Sequence, residues 1–299
     1  MGTRMARPQM TAVLELLKPV TWFPPMWAFG CGAVSAGPIP VGKWPAIVTG
    51  VLLAGPLVCA TSQAVNDWFD RHVDAINEPQ RPIPSGRMPG RWGLLIALIW
   101  TSLSLVVAST LGTYVLIAAV TGLALAWAYS APPPRLKLNG WWGNAACAAC
   151  YEGLAWLTGA LVVSGGLAPD GRTVALAVLY SIGAHGIMTL NDFKSIEGDR
   201  QMGVGSLPVR LGPVNAGRVA CLFMAASQVA VIGLLLSWGK IPHAIAIAIL
   251  LVVQVVLMKR LLAAPRERAP WYNATGVSLY VIGMLISAFA IRPEMVGPA

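Results

Sequence analysis

An all-α, polytopic membrane protein is what the sequence predicts, and three observations carry the prediction. Charged residues make up only 11% of the 299-residue chain against 56% apolar ones, with a mean hydropathy of +0.66; a soluble domain is roughly a quarter charged. Apolar stretches of about 20 residues, the length a helix needs to cross a ~30 Å hydrocarbon core, recur throughout. Lys and Arg gather in alternate connections, the pattern of a chain that threads a bilayer repeatedly.

About nine spans are expected after a short arm, residues 1–18, that carries Arg4, Arg7 and Lys18. The first lies near 20–36, anchored by Trp22, and the second, 45–65, follows Trp44 and ends at Asn66-Asp67. The third, 93–110, starts after Trp92, and the fourth, 112–130, holds Trp127 and Tyr129. The fifth, 142–163, opens at Trp141-Trp142 and contains Cys147, Cys150, Tyr151, Glu152 and Trp156. The sixth, 173–190, includes His185 and ends at Asn191-Asp192. The seventh, 217–237, stops at Trp238; the eighth, 242–261, starts at His243; the ninth, 273–291, follows Trp271. Tryptophans at span ends are ordinary interfacial anchors, whereas Trp127 and Trp156 are deep enough either to pack in the core or to line a ligand cavity.

Assigning the arm and loops 66–92, 131–141, 191–218 and 259–272 to one side leaves only Lys43, Arg172, Lys240 and Arg292 opposite, of 21 Lys and Arg. The positive-inside rule then puts the N-terminus in the cytoplasm. The +9 charge is thereby a topology signal, and no basic–aromatic motif points to nucleic acid. Cys147-Ala-Ala-Cys150 lacks the second pair of a metal site and reads as helix packing. The chain reads as one transmembrane domain, 1–299. The Asn-Asp dipeptide recurs after spans two and six, so two four-helix pseudo-repeats plus a ninth helix are expected to surround a central cavity.

Of only 12 acidic residues, seven lie in two loops: Asp67, Asp70, Asp74 and Glu78 in the first, Asp192, Glu197 and Asp199 in the second. Asp67, Asp70 and Asp74, spaced i, i+3, i+7, fall within one stripe of a helix, with Asn66 a turn before Asp70. Carboxylates so close need a cation or full solvation, and charges at mid-bilayer cost roughly 2.5–3.5 kcal/mol each. Oxygen ligands without His or Cys suit Mg²⁺ completed by substrate phosphates. Arg81, Lys194 and Arg200 in the same loops suit the outer oxygens of a diphosphate. Arg135 and Lys137 read either as topology signals or as cations steering an acceptor carboxylate. Glu152, a lone acid within span five beside Tyr151, is a functional candidate by its depth. His185 stands i, i+7 before Asp192 and reads either as a cavity residue or as core packing.

Asn66-x-x-x-Asp70-x-x-x-Asp74 resembles the first aspartate-rich motif of the UbiA superfamily of intramembrane prenyltransferases, and Asp192…Asp199 resembles the second. The segments NDWFDRHVDAINEPQRPIPSG, YSAPPPRLKLNGWWGN and NDFKSIEGDRQMGVGSLPVRLG are similar to the (bacterio)chlorophyll synthase branch. CYEGLAWLTGA and the short N-terminus are most similar to its bacteriochlorophyll-forming members. The resemblance covers nearly the whole chain. It implies transfer of a geranylgeranyl or phytyl group from its diphosphate to the propionate of bacteriochlorophyllide, with Mg²⁺ as cofactor. The place would be the cell inner membrane or a photosynthetic intracytoplasmic membrane, among membrane lipid, with the site facing the cytoplasm. Asp70, Asp74, Asp192 and Asp199 would be catalytic, and with Asn66 and Asp67 would hold the metal. Arg81, Lys194 and Arg200 would bind diphosphate; Tyr129, Arg135, Lys137, Tyr151, Glu152 and His185 would line the substrates. Many relatives have Asp-x-x-x-Asp in the second motif, whereas here Ser195 stands three residues after Asp192 and Gly203 four after Asp199. The choice among Asp192, Glu197 and Asp199 is therefore open, with the first and last favoured. Rival readings are a chlorophyllide-specific enzyme, a quinone or haem-precursor prenyltransferase, and a cation-coupled transporter, whose site would lie at the bilayer midplane.

Overall fold

The computed structural model describes residues 7–293, so Arg4 lies outside the described residues. Every regular element among them is helical, apart from one backbone bridge between Asn139 and Gly205. A short helix α1 (Met10–Leu17) precedes α2 (Phe23–Ser35). Next, α3 (Trp44–Leu52) runs through a π-helical segment, Leu53–Cys59, straight into α4 (Ala60–Asn77). Helices α5 (Trp92–Thr110) and α6 (Thr113–Ser130) turn at Gly112, whose φ of +116° excludes most side chains. In the same way α7 (Gly140–Ala148) continues through a π segment, Ala149–Leu154, into α8 (Ala155–Ser164). After these come α9 (Gly171–Asn191), the short α10 (Ile196–Gln201), α11 (Leu207–Ser237), α12 (Ile241–Ala263) and α13 (Pro265–Ile291).

Eight helical stretches among the described residues are long and apolar enough to cross a membrane. The expected first span is realised as α2, with 13 residues, behind a 3₁₀ turn at Pro19–Thr21. Thirteen residues rise only about 20 Å, less than a full hydrocarbon core. The chain is a multi-pass membrane protein. Its outward apolar residues, such as Val106, Leu222, Ile249 and Val252, are exposed on helices whose backbone bonds are satisfied internally.

Helices meet where side chains are small. A Cβ on Gly32 of α2 would lie 1.8 Å from the Trp156 carbonyl oxygen, and one on Gly159 of α8 would lie 2.0 Å from that of Phe29. Behind this contact Trp156 stacks on Tyr180 at 5.7 Å, and Tyr180 meets Tyr280 edge-on at 5.3 Å. Their polar ends are satisfied: Trp156 donates to Ser35 Oγ at 3.2 Å and Tyr280 to the Tyr180 carbonyl at 2.8 Å. Trp156 is therefore core, and Trp127 is tied to Thr101 at 3.1 Å. Gln228 of α11 and Gln254 of α12 exchange amide hydrogen bonds of 3.2 and 2.9 Å in the interior.

The arm is docked. Ala12, Leu16 and Leu17 of α1 are buried against the Ala60, Ala64, Val65, Met88 and Ile96 cluster. Arg87 forks onto Glu15 at 2.5 and 2.9 Å, and this hydrogen-bonded partner holds the Glu15 carboxyl below the usual carboxylate range.

Candidate active site

Asp67, Asp70 and Asp74 belong to a helix, because α4 continues about three turns past the apolar run to Asn77, with Glu78 at its C-cap. At 100° per residue the three aspartates lie within about 60° of one another, one stripe, yet their side chains reach two sets of cations. Asp67 faces the arm, with Oδ1 2.6 Å from Lys18 Nζ and 3.3 Å from Arg81. Arg81 also holds Asp74 at 2.9 Å and contacts Glu78. Asp70 faces inward, where Lys137 contacts it and Arg135 stands 3.5 Å away. Asn66 donates to Asp70 Oδ2 at 3.0 Å. Burial pulls the Lys137 ammonium below its ordinary value, while the neighbouring Asp70 pulls it back up.

The second cluster starts at the end of α9. Asp192 opens a 3₁₀ turn into α10, and its Oδ2 accepts a 3.0 Å bond from Asn144 on α7. Asn144 is buried and donates also to Thr189 at 3.2 Å, so two helices fix one carboxylate. Asp199, beside Ser206, lies within electrostatic reach of Asp70 and Lys137. Tyr129 stands within electrostatic reach of Asp70, Asp192 and Asp199.

Backbone bonds bring the loops to this meeting point. Gly140 N–H donates to the Gly205 carbonyl at 2.9 Å, and Gly205 N–H to the Leu138 carbonyl at 3.0 Å. A Cβ on Gly140 would lie 2.6 Å from the Leu207 nitrogen, so only glycine permits this approach. The segment bearing Arg135 and Lys137 is thus stitched to the segment that follows Asp199. Among the described residues, no three His, Cys, Asp or Glu side chains are gathered closely enough to hold a metal ion by themselves.

The UbiA prenyltransferase family matches residues 21–290. The chain belongs to that family. Relatives include the bacteriochlorophyll synthase 33 kDa chain of Cereibacter sphaeroides, 59% identical over 95% of this chain and 94% of that one. The chloroplastic chlorophyll synthase of Oryza sativa subsp. japonica is 40% identical over 93% of this chain and 76% of its own length. Among solved structures, a UbiA homolog from Archaeoglobus fulgidus bound to GPP and Mg²⁺ superimposes with a TM-score of 0.69 at 20% identity. That match covers 94% of this chain and 99% of the other.

Within this UbiA-family frame the expected site residues separate into groups. Asn66, Asp70, Asp192, Asp199, Tyr129, Arg135 and Lys137 come together, and Asp74 and Arg81 adjoin them. Asp67, grouped with the ligands by its spacing, is engaged by Lys18 and Arg81 instead. Glu197 turns outward to Arg200 at 3.5 Å and Arg266 at 3.2 Å, which takes both Glu197 and Arg200 away from the cluster. Lys194 is exposed yet within electrostatic reach of Asp192. Tyr151 lies deeper, its hydroxyl accepting from Gln63 at 3.0 Å. His185 is engaged elsewhere: its Nε2 is 3.2 Å from the Trp141 carbonyl and its ring stacks on Phe223 at 4.5 Å, with the Trp141 ring tilted beside both. Glu152 is buried with Oε2 unpartnered, on the side of its π segment toward Cys31 and Tyr280 rather than the acidic cluster. Asn144 and Lys18 were not expected; the GN of WWGN was visible only as part of a motif.

Proposed function

We propose that this prenyltransferase esterifies the propionate of bacteriochlorophyllide with a geranylgeranyl or phytyl group from the corresponding diphosphate. The observation that carries the chemistry is the pairing of Asp70, from one acidic loop, with Asn66, Lys137 and Arg135 and of Asp192, from the other, with Asn144, on segments stitched together at Gly140 and Gly205. Likeness to bacteriochlorophyll synthase chains along almost the full length supports the pigment acceptor. The setting is the cell inner membrane or a photosynthetic intracytoplasmic membrane, with the acidic loops facing the cytoplasm.

The donor set fits Mg²⁺. Asn66, Asp70, Asp192 and Asp199 offer hard oxygen atoms from both loops, and Mg²⁺ is commonly held by one or two carboxylates plus substrate phosphates. When bound it would supply charge stabilisation to the departing diphosphate. Asn66 and Asn144 orient Asp70 and Asp192 by donating to one oxygen of each. Lys137 and Arg135, paired with Asp70, are placed to take phosphate or propionate oxygens once that carboxylate is engaged elsewhere. Arg81 and Lys194 approach the diphosphate from the loop side. The allylic C1–O bond breaks with its electron pair leaving on diphosphate, and a propionate oxygen forms the new bond to C1. The acceptor is ionised near neutral pH, so no strong base is required, in keeping with His185 being stacked on Phe223 with its Nε2 at the Trp141 carbonyl. Tyr151 and the apolar wall below the acids suit the prenyl chain, which keeps its lipid tail in the membrane.

The test supplies purified protein with bacteriochlorophyllide, geranylgeranyl diphosphate and Mg²⁺, and follows esterified pigment by chromatography. Ester is expected, and EDTA should abolish it until excess Mg²⁺ is restored. Ester formed from chlorophyllide in preference to bacteriochlorophyllide would redirect the acceptor assignment; no ester from either pigment would refute the reading. Asn144→Ala should raise the Mg²⁺ concentration needed for half-maximal rate by about 10- to 100-fold, the usual effect of losing an orienting partner of a ligand. Titration of initial rate against Mg²⁺ measures it.

A further inference from the structure

We infer that Lys18, at the end of the docked arm, is a positioning residue that keeps Arg81 free to bind the diphosphate. This inference rests on the prenyl-diphosphate reading given above. Lys18 precedes the segment that matches the family, which begins at residue 21, and no ligand role is assigned to it.

The geometry is a competition for one oxygen. Lys18 Nζ and Arg81 both address Asp67 Oδ1, at 2.6 and 3.3 Å, while Asp67 Oδ2 is buried without a partner. The shorter contact belongs to lysine. With that charge satisfied, Arg81 is left shared among Asp74 at 2.9 Å, Glu78 and a long contact to Asp67. Remove the ammonium and a buried carboxylate, with Oδ2 bare and Oδ1 held only by the long Arg81 contact, faces a guanidinium whose fork fits both oxygens. A cavity of about 340 Å³, lined by Glu15, Lys18, Asp67 and Arg81 among others, leaves the guanidinium room to make that move. Arg81 would then be locked on the arm side of α4, away from the diphosphate.

Lys18 is fixed for this task by local structure. Its backbone is left-handed, φ 47°, which ends α1 and redirects the chain. The Lys18 carbonyl accepts from Thr21 Oγ1 at 2.8 Å, and the Leu17 carbonyl from Trp22 Nε1 at 2.8 Å. At the other side, Arg87 clamps Glu15 and also donates to the Gln80 carbonyl at 2.5 Å, so the arm braces the residue next to Arg81.

Lys18→Met is the test, read by the Kd for non-reactive geranylgeranyl thiodiphosphate with Mg²⁺ and by steady-state kinetics. Kd and KM for the prenyl donor are expected to rise about tenfold, the scale of a misplaced binding group, with kcat changed less than about twofold. Lys18→Arg should restore both constants. Adding Asp67→Asn to Lys18→Met should also lower Kd toward the wild-type value, because the trap for Arg81 is gone. In an Arg81→Ala background Lys18→Met should cost no further affinity, whereas a merely structural role for Lys18 would weaken binding again. Should the Met protein fail to purify, Lys18→Gln serves in its place. Wild-type Kd in the single variant, or a double variant that binds more weakly still, overturns the inference. Loss of ester formation in wild-type protein would instead strike the functional reading, so the two failures are separable.

Discussion

Replacing Asp70 by alanine is expected to reduce ester formation by on the order of 10²–10³-fold, the scale on which one preorganised stabilising group contributes to a charge-developing step. Asp70 is where the two halves of the site meet: Asn66 donates to it, Lys137 and Arg135 pair with it, and Asp199 lies within its field. Alanine removes the carboxylate and leaves Lys137 buried without its partner, so part of the loss could come from local rearrangement. Asp70→Asn separates the contributions, since it keeps the volume and one carbonyl oxygen while losing the charge. Both variants should elute as folded protein and fall in kcat/KM together, with asparagine retaining more prenyl-donor affinity than alanine. Wild-type-like turnover of either, with bacteriochlorophyllide and geranylgeranyl diphosphate supplied, would remove Asp70 from the mechanism.

A comparably large effect, on folding rather than chemistry, is expected where α2 crosses α8. A Cβ at residue 32 would lie 1.8 Å from the Trp156 carbonyl, and one at residue 159 would lie 2.0 Å from that of Phe29. These are backbone obstructions, so no rotamer change relieves them and the helices must part. Overpacking costs about 1–3 kcal/mol even where side chains can yield, and within a membrane close backbone approach is itself a main source of helix adhesion. Gly159→Val and Gly32→Ala should each lower the yield of monodisperse protein and its Tm in detergent. Gly30 supplies the matched control, because a Cβ there meets nothing within 4 Å. Gly30→Ala should behave as wild type, and equal damage from all three substitutions would mean that the crossing is not the cause.

Much of this architecture was legible because bilayers impose coarse rules. Apolar length gave the long spans, and the scarcity of carboxylates made the two clusters stand out. What a linear pattern could not convey was direction around a helix. Asn66-Asp67 and Asn191-Asp192 look equivalent, yet the first pair sends its asparagine to the site and the second sends its aspartate. Asp67 turns to Lys18, while Asn191 accepts a 2.9 Å bond from Asn273. Glu197 and Asp199 sit two apart on α10, and that half-turn divides an outward ion pair from an inward ligand candidate. Hydropathy makes the first span look like a full crossing because it averages over the Pro19–Thr21 turn, which the helix α2 does not include. His185 and Glu152 were drawn toward the site by depth and spacing alone. Their actual neighbours, Trp141 and Phe223 for one and Cys31 and Tyr280 for the other, come from helices remote in sequence. Asn144 escaped notice because an amide among small residues carries no charge signal, although it holds Asp192 directly.

The π-helical segment Leu53–Cys59 has a bearing on how the chain tolerates change in length. A π turn accommodates an additional residue within a helix without breaking it. Because the wider turn absorbs that residue, the helix beyond it, Asn66 through Asp74 included, stays close to the phase of an uninterrupted α-helix. Deleting one position inside the segment would let the bonds revert to the α pattern and leave Asp70 facing Lys137. Deleting one position between Ala60 and Asn66, in the regular part of α4, would instead turn the acidic face by about 100°. Single-residue deletions thus sort by place: absorbed in one stretch, and a few residues later decisive for which carboxylate looks inward.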